Sequence, residues 1–186
     1  MPELNSTMYL FHASYCEVTT PDLSKCAKYK DFGQGFYLTT SKEQAERFTR
    51  LSVRKAIDFH RISAPKYGVV NVFTCPDFSD LSIFDFPNAD VSWLHCVVAH
   101  RRPRLFPEVV QKLQPYDVIS GKVANDDTNA TIIAYIDGLY GEAGTERADS
   151  ICISLLLPER LQDQFCFRTQ KAIKTLKFEG SERVWL

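Results

Sequence analysis

The ten residues Asp31-Phe32-Gly33-Gln34-Gly35-Phe36-Tyr37-Leu38-Thr39-Thr40 leave the backbone few options. Glycines at 33 and 35 permit angles and close approaches that are closed to any residue with a Cβ. The aromatic and apolar residues behind them predict a short strand over about 36–39. Ser41-Lys42-Glu43-Gln44 then fits a capping box, in which hydroxyl and amide satisfy free amides of a first helical turn. Taken alone, the stretch is explained most simply as a tight turn feeding a core strand. A loop shaped to let a ligand lie close to the backbone is the other reading.

The rest of the chain alternates short strands with helices. Met8 to His12 is mostly apolar and predicts a first strand, ending in His12-Ala13-Ser14. The helix that opens at Ser41 continues to about Ile57, with Ala45, Phe48, Ser52 and Ala56 on one face. Gly68 to Phe73 predicts a buried strand, and Leu81 to Phe84 a second short one. Asn88 is a candidate cap for a helix that aligns Val91, Leu94 and Val98. That helix closes in His100-Arg101-Arg102-Pro103-Arg104, whose charge complements the helix dipole. Tyr116 to Ala124 predicts a strand, and helices follow around Ile132–Leu139 and Glu146–Leu157, the second stopped by Pro158. Gln164 to Arg168 predicts another strand, Thr169 to Ile173 a helical turn, and the chain ends in a strand towards Trp185. With no repeat, no low-complexity tract and no linker, residues 1–186 are expected to form one α+β domain.

Composition narrows the function classes. The 186 residues are 45% hydrophobic, enough for a substantial core. With 22 Lys+Arg against 23 Asp+Glu, the overall field announces neither a nucleic-acid nor a membrane partner. No apolar run approaches a membrane span, and no export signal opens the chain. Cys16, Cys26, Cys75, Cys96, Cys152 and Cys166 form no CxxC pair and no zinc spacing. They predict a reduced, cytoplasmic protein without a structural metal. The Walker, dinucleotide-fingerprint, nucleophile-elbow and zincin motifs are all missing. Asp126-Asp127 is read as a turn or helix cap rather than a Mg²⁺ site.

Three strands carry the remaining chemistry: Phe11-His12-Ala13-Ser14, Gly33-Gln34-Gly35-Phe36-Tyr37-Leu38-Thr39-Thr40 and Asp163-Gln164-Phe165-Cys166-Phe167. In this order they resemble the signature strands of ADP-ribosyltransferases of the diphtheria-toxin and poly(ADP-ribose) polymerase type, the H-Y-E group. More closely, about residues 8 to 178 resemble a bacterial domain family of unknown function placed in that fold. The stretches that carry this likeness are Tyr116-Asp117-Val118-Ile119, Gly121-Lys122-Val123-Ala124-Asn125-Asp126-Asp127 and Asp163-Gln164-Phe165-Cys166-Phe167-Arg168-Thr169. The resemblance implies an ADP-ribosyltransferase-like split β-sheet core with an NAD cleft and flanking helices.

It also implies residue roles. His12 would hold a ribose hydroxyl of NAD, using an imidazole that has both a donor and an acceptor. Ala13 stands where the wider family has glycine, whose backbone amide and carbonyl hold the nicotinamide carboxamide; alanine keeps both groups. Ser14 completes that motif. Gly35 would let the chain pass close to NAD, and Tyr37 would stack on nicotinamide. Gln44 or Ser41 would line the opposite wall. Gln164 departs from the pattern, because the family has a glutamate there. Glutamine orients a ribose but cannot take a proton or offset the positive charge that develops as nicotinamide leaves. Asp163 is adjacent but points to the other face of a regular strand. Asp126, Asp127 and Glu142 are the candidates to supply the charge.

The resemblance therefore implies a mono-ADP-ribosyltransferase with catalytic His12, Tyr37 and Gln164, using NAD as co-substrate and no metal. Its acceptor would be a protein or a nucleic acid, and chain building is not expected. A toxin of a toxin–antitoxin or phage-defence system, with an antitoxin as partner and no membrane contact, is the implied setting. A catalytically weak NAD- or ADP-ribose-binding module is the alternative, and a purely structural protein the third.

Overall fold

The computed structural model describes residues 2–63, 65–124 and 126–186, apart from the side chains of 126, 127 and 160. Its strands are β1 (Leu10–Ser14), β2 (Phe36–Leu38), β3 (Tyr67–Thr74), β4 (Ile83–Asp85), β5 (Val118–Lys122), β6 (Asp163–Phe167) and β7 (Lys177–Trp185). Its helices are α1 (Lys42–Asp58), α2 (Val91–Arg101), α3 (Pro107–Leu113), α4 (Asp126–Ile136), α5 (Glu146–Leu156) and α6 (Gln170–Lys174). The fold is α+β.

Two sheets form the frame. One is antiparallel, in the order β1-β3-β7; the other is mixed, in the order β2-β6-β5-β4, with only β4 and β5 parallel. Strand alternation sends side chains to two separate apolar clusters. Leu10 and Phe73 of the first sheet share a cluster with Phe36, Leu38, Val118, Phe165 and Phe167 of the second. The opposite face of the second sheet, through Ile119 and Cys166, packs with Phe32, Trp93, Ile132, Tyr135 and Cys152 in the other cluster. Helix α1 covers the outer face of the first sheet, where a Cβ on Gly68 would lie 2.7 Å from Thr49.

The ends of these elements follow local chemistry. Ser41 caps α1 by accepting from the Gln44 amide at 3.2 Å. The box is only half closed, because the Gln44 side chain turns to Thr39 Oγ1 instead, at 3.0 Å. Asp90, not Asn88, caps α2 through the Trp93 amide. Strands β1 and β4 each begin two residues later than their apolar runs. Helix α3 has no counterpart in the expected pattern, yet Pro107 at its first position and Glu108 in its first turn are its signals. Buried Asp149 ties three helices together, accepting from the Tyr135 hydroxyl and bonding His95 Nε2 at 2.9 Å. Among the described residues no helix is long and apolar enough to cross a membrane.

Candidate functional site

The two sheets touch along β1 and β2. Phe11 and Thr39 exchange backbone hydrogen bonds of 2.8 and 3.0 Å, and that bridge is isolated. The next hydrogen-bonded pair in this register would be Ala13 with Tyr37, and there the strands have parted. His12 fills the gap: its Nδ1 lies 2.8 Å from the Tyr37 carbonyl. A carbonyl only accepts, so Nδ1 carries the proton and Nε2 keeps a lone pair. The ring also lies against Phe36, with centroids 4.2 Å apart. Burial outweighs the Tyr37 hydrogen bond and lowers the His12 pKa from 6.5 to about 4, so the imidazole is neutral at physiological pH.

The parting leaves a usable backbone edge. Along a strand, successive residues send N–H and C=O to alternate sides. Those of Phe11 point at β2, so those of Ala13 point the same way, past the end of the pairing. Ser14 is buried beside them and accepts from the Cys16 amide at 3.4 Å. Buried Asn71 holds the following loop, accepting from Val18 N–H at 2.8 Å and donating to the His12 and Cys16 carbonyls.

Tyr37 fixes the glycine loop. Its hydroxyl donates to the Gly33 carbonyl at 2.8 Å and accepts from Phe32 N–H at 2.9 Å. Desolvation by burial holds its pKa well above the usual tyrosine value, so the hydroxyl stays protonated for both bonds. This hydroxyl is committed to the loop rather than free for a partner. The glycines answer to the protein as well. Gly33 has φ +81° and lies against the His100 ring, and a Cβ on Gly35 would run into Cys166 Sγ and the Phe167 carbonyl. Any ligand contact at Gly35 is therefore through its backbone.

Gln164 lies on the same face of the second sheet as Tyr37. Cys166 pairs with Tyr37 across β2 and β6, and Gln164 is two residues along β6. Its amide donates to Asp31 Oδ2 at 2.8 Å and to the Lys122 carbonyl at 3.2 Å. Asp31 in turn holds Arg101, which also bonds Asn129 and the Ala124 carbonyl. Arg101 thus does more than complement a helix dipole. Asp163 faces away, paired with Lys122 at 2.9 Å. Glu142 is exposed in the α4–α5 connection, and the side chains of Asp126 and Asp127 lie outside the described residues. Among the described residues, the carboxylate that meets Gln164 is the one on Asp31, at the head of the glycine stretch.

The seven residues expected at the site, His12, Ala13, Ser14, Gly35, Tyr37, Gln44 and Gln164, do not form one contact set. His12 meets the Tyr37 backbone; Tyr37 reaches Gln164 through the loop that Asp31 anchors; Gln44 serves the start of α1. A surface cavity of about 320 Å³, lined in part by Lys28, Tyr29, His100 and Arg168, meets the loop at Gly33 and Gln34 and is lined by none of those seven residues. Asp117 and Thr169, each from one of the resembled stretches, form a structural anchor: Asp117 accepts from Thr169 Oγ1 at 2.6 Å and from the Ser82 amide at 3.1 Å. No group of three or more His, Cys, Asp or Glu able to hold a metal occurs among the described residues. Burial pushes the Cys166 and Cys152 thiols up to about 12, far from a reactive thiolate.

This architecture defines an α+β domain whose two sheets join at one bridge and part at a histidine. The chain belongs to the family described as protein of unknown function DUF3990, whose model matches residues 8–178. No curated protein and no solved structure matches it.

Proposed function

We propose that the chain is a mono-ADP-ribosyltransferase that moves ADP-ribose from NAD to a macromolecular acceptor, protein or nucleic acid, and releases nicotinamide. The observation that carries this reading is the parting of β1 from β2 at His12. There the edge offers the Ala13 N–H and C=O side by side, the complement of a carboxamide, with a neutral imidazole next to it. The chain's residues fit such a substrate. Ala13 would hold the carboxamide, the partly exposed ring of Tyr37 would flank nicotinamide, and His12 Nε2 would accept from a ribose hydroxyl. This is the sense in which we read the fold as an ADP-ribosyltransferase-like split sheet.

In the reaction, the bond between the anomeric carbon and the nicotinamide nitrogen breaks, and nicotinamide leaves with the electron pair. The acceptor's nucleophile forms the new bond and gives up its proton to solvent water. His12 and Ala13 contribute orientation, which lowers the entropic part of the barrier. Gln164 offers a carbonyl oxygen to the ribose but no proton acceptor. The proposed setting is a cytoplasmic toxin or phage-defence effector with a neutralising partner.

The test is nicotinamide release from NAD by purified protein, with and without cell extract. Release that falls by at least tenfold in His12→Ala and Tyr37→Ala is expected. No release from the native chain, or release from both variants equal to that of the native chain, refutes the activity. One observation favours a second reading: both amide hydrogens of Gln164 are already engaged by the protein. A domain that binds NAD or ADP-ribose without turnover would show calorimetric binding and no release.

A further inference from the structure

Asp31 is 6% exposed, yet its carboxylate accepts four hydrogen bonds from the described residues. Arg101 Nε and Nη2 reach Oδ1 at 3.1 and 2.6 Å; the Ala124 amide and Gln164 Nε2 reach Oδ2 at 2.9 and 2.8 Å. Gln164, also 6% exposed, gives its other amide hydrogen to the Lys122 carbonyl, which in addition receives the Trp93 indole N–H at 2.9 Å. Both partners of the glutamine are pure acceptors. The amide therefore fits only one way round, with Nε2 on Asp31 and, across the planar group, Oε1 turned away from it. Among the described residues no side chain or backbone amide is bonded to Oε1.

We propose that Asp31 is the positioning residue for Gln164, fixing its amide so that Oε1 is presented as the acceptor for a ribose hydroxyl. The inference rests on the transferase reading above. A carboxylate bonded to the N–H end of an amide polarises it, and in a buried network that polarisation is little screened. Gln164 Oε1 is thereby a stronger acceptor than the same atom of a solvated glutamine. The arrangement also accounts for the glutamine on β6. A glutamate there would set two buried carboxylates in contact, so that one would take up a proton or the pair would separate. The charge has instead moved to the start of the glycine loop, where Arg101 balances it at 2.6 Å. Asp31 does not touch substrate in this scheme; it acts through Gln164.

The experiment is a cycle of Asp31→Asn, Gln164→Glu and the double variant in the full chain, read by melting, NAD affinity and nicotinamide release. Each single variant is expected to melt lower by several degrees, and the double variant to lose less than the sum of the two, because the contact between residues 31 and 164 is already broken in either single variant. In release, Asp31→Asn should lower kcat about tenfold or more while KM for NAD moves less than about threefold, the pattern of an interaction made only in the transition state. Additive melting losses overturn the pairing whatever the activity. Unchanged kcat in Asp31→Asn overturns its part in the reaction. A coupled cycle in a protein whose native form releases no nicotinamide refutes the transferase reading instead, and the proposed role with it. If a single variant fails to fold, the Gln164 side-chain amide protons in the native protein carry the test. They should be protected from exchange, and exchange as fast as free glutamine overturns the inference.

Discussion

His12 Nδ1 donates to the Tyr37 carbonyl at 2.8 Å, where the backbones of β1 and β2 have ceased to pair. One side chain thus closes the seam between the sheets and sets its own tautomer. The pH consequence has a definite sign. The folded ring takes a proton only near pH 4, whereas the unfolded one does so near 6.5. Between those values the unfolded chain binds more protons, so stability is full above about pH 6.5 and falls as pH drops to about 4. The shift corresponds to a few kcal/mol at most. An NMR titration of the His12 ring should show no transition between pH 8 and 5.5, and NAD binding should be flat over that range. A midpoint near 6.5 would show the ring to be solvated and the seam open.

Tyr37→Phe separates the hydroxyl from the ring. The hydroxyl satisfies Phe32 N–H and the Gly33 carbonyl, and Phe32 is fully buried. Leaving those groups unpaired should cost about 1–3 kcal/mol in urea unfolding. The ring remains, so NAD affinity should fall far less than in Tyr37→Ala. Equal losses of affinity in the two variants would mean that the loop, not ring stacking, governs binding.

Asp149→Ala tests a network with no part in the site. It leaves the buried Tyr135 hydroxyl without its acceptor and His95 without its partner. Destabilisation of about 2–4 kcal/mol is expected by chemical denaturation. Nicotinamide release from the folded fraction should match the native protein, and a selective loss of kcat would place this network in the reaction.

Elements with local signals were legible in the sequence. Ser41 announces α1, the apolar run of Gly68 to Phe73 announces β3, and Thr169 announces the short α6, which it caps through the Ala172 amide. Strand ends were less so, because β4 is set by its pairing with β5 rather than by where its apolar residues begin. His12, Tyr37 and Gln164 stood out through resemblance, and the structure puts them on strands at or near the seam. The Asp31 hub was invisible. It joins residues 133 positions apart, and no periodicity links a loop aspartate to a strand glutamine and a helix-terminal arginine. The glycines were legible as necessary, but the reason lies in tertiary contact. Cys166 and His100 occupy the space a Cβ would need.

Ala13→Pro is the sharpest probe of the open edge. Proline removes a backbone N–H, and within a sheet it is tolerated where that N–H faces away from the ladder. At Ala13 the N–H points past the end of β1–β2 pairing, while the bonds to β3 are made by Leu10, His12 and Ser14 on the other side. The residue before a proline must be extended, and His12 already lies in a strand. The variant should therefore fold with a loss of about 1–2 kcal/mol, mostly from the constrained φ. If the Ala13 N–H holds the nicotinamide carboxamide, NAD affinity should fall tenfold or more, by about 1.4 kcal/mol or above. ADP-ribose, which lacks the carboxamide, should bind as before. Ala13→Gly keeps the N–H and should keep NAD binding. Native-like NAD affinity in a folded Ala13→Pro protein would remove nicotinamide from this edge and, with it, the geometry on which the proposed transfer depends.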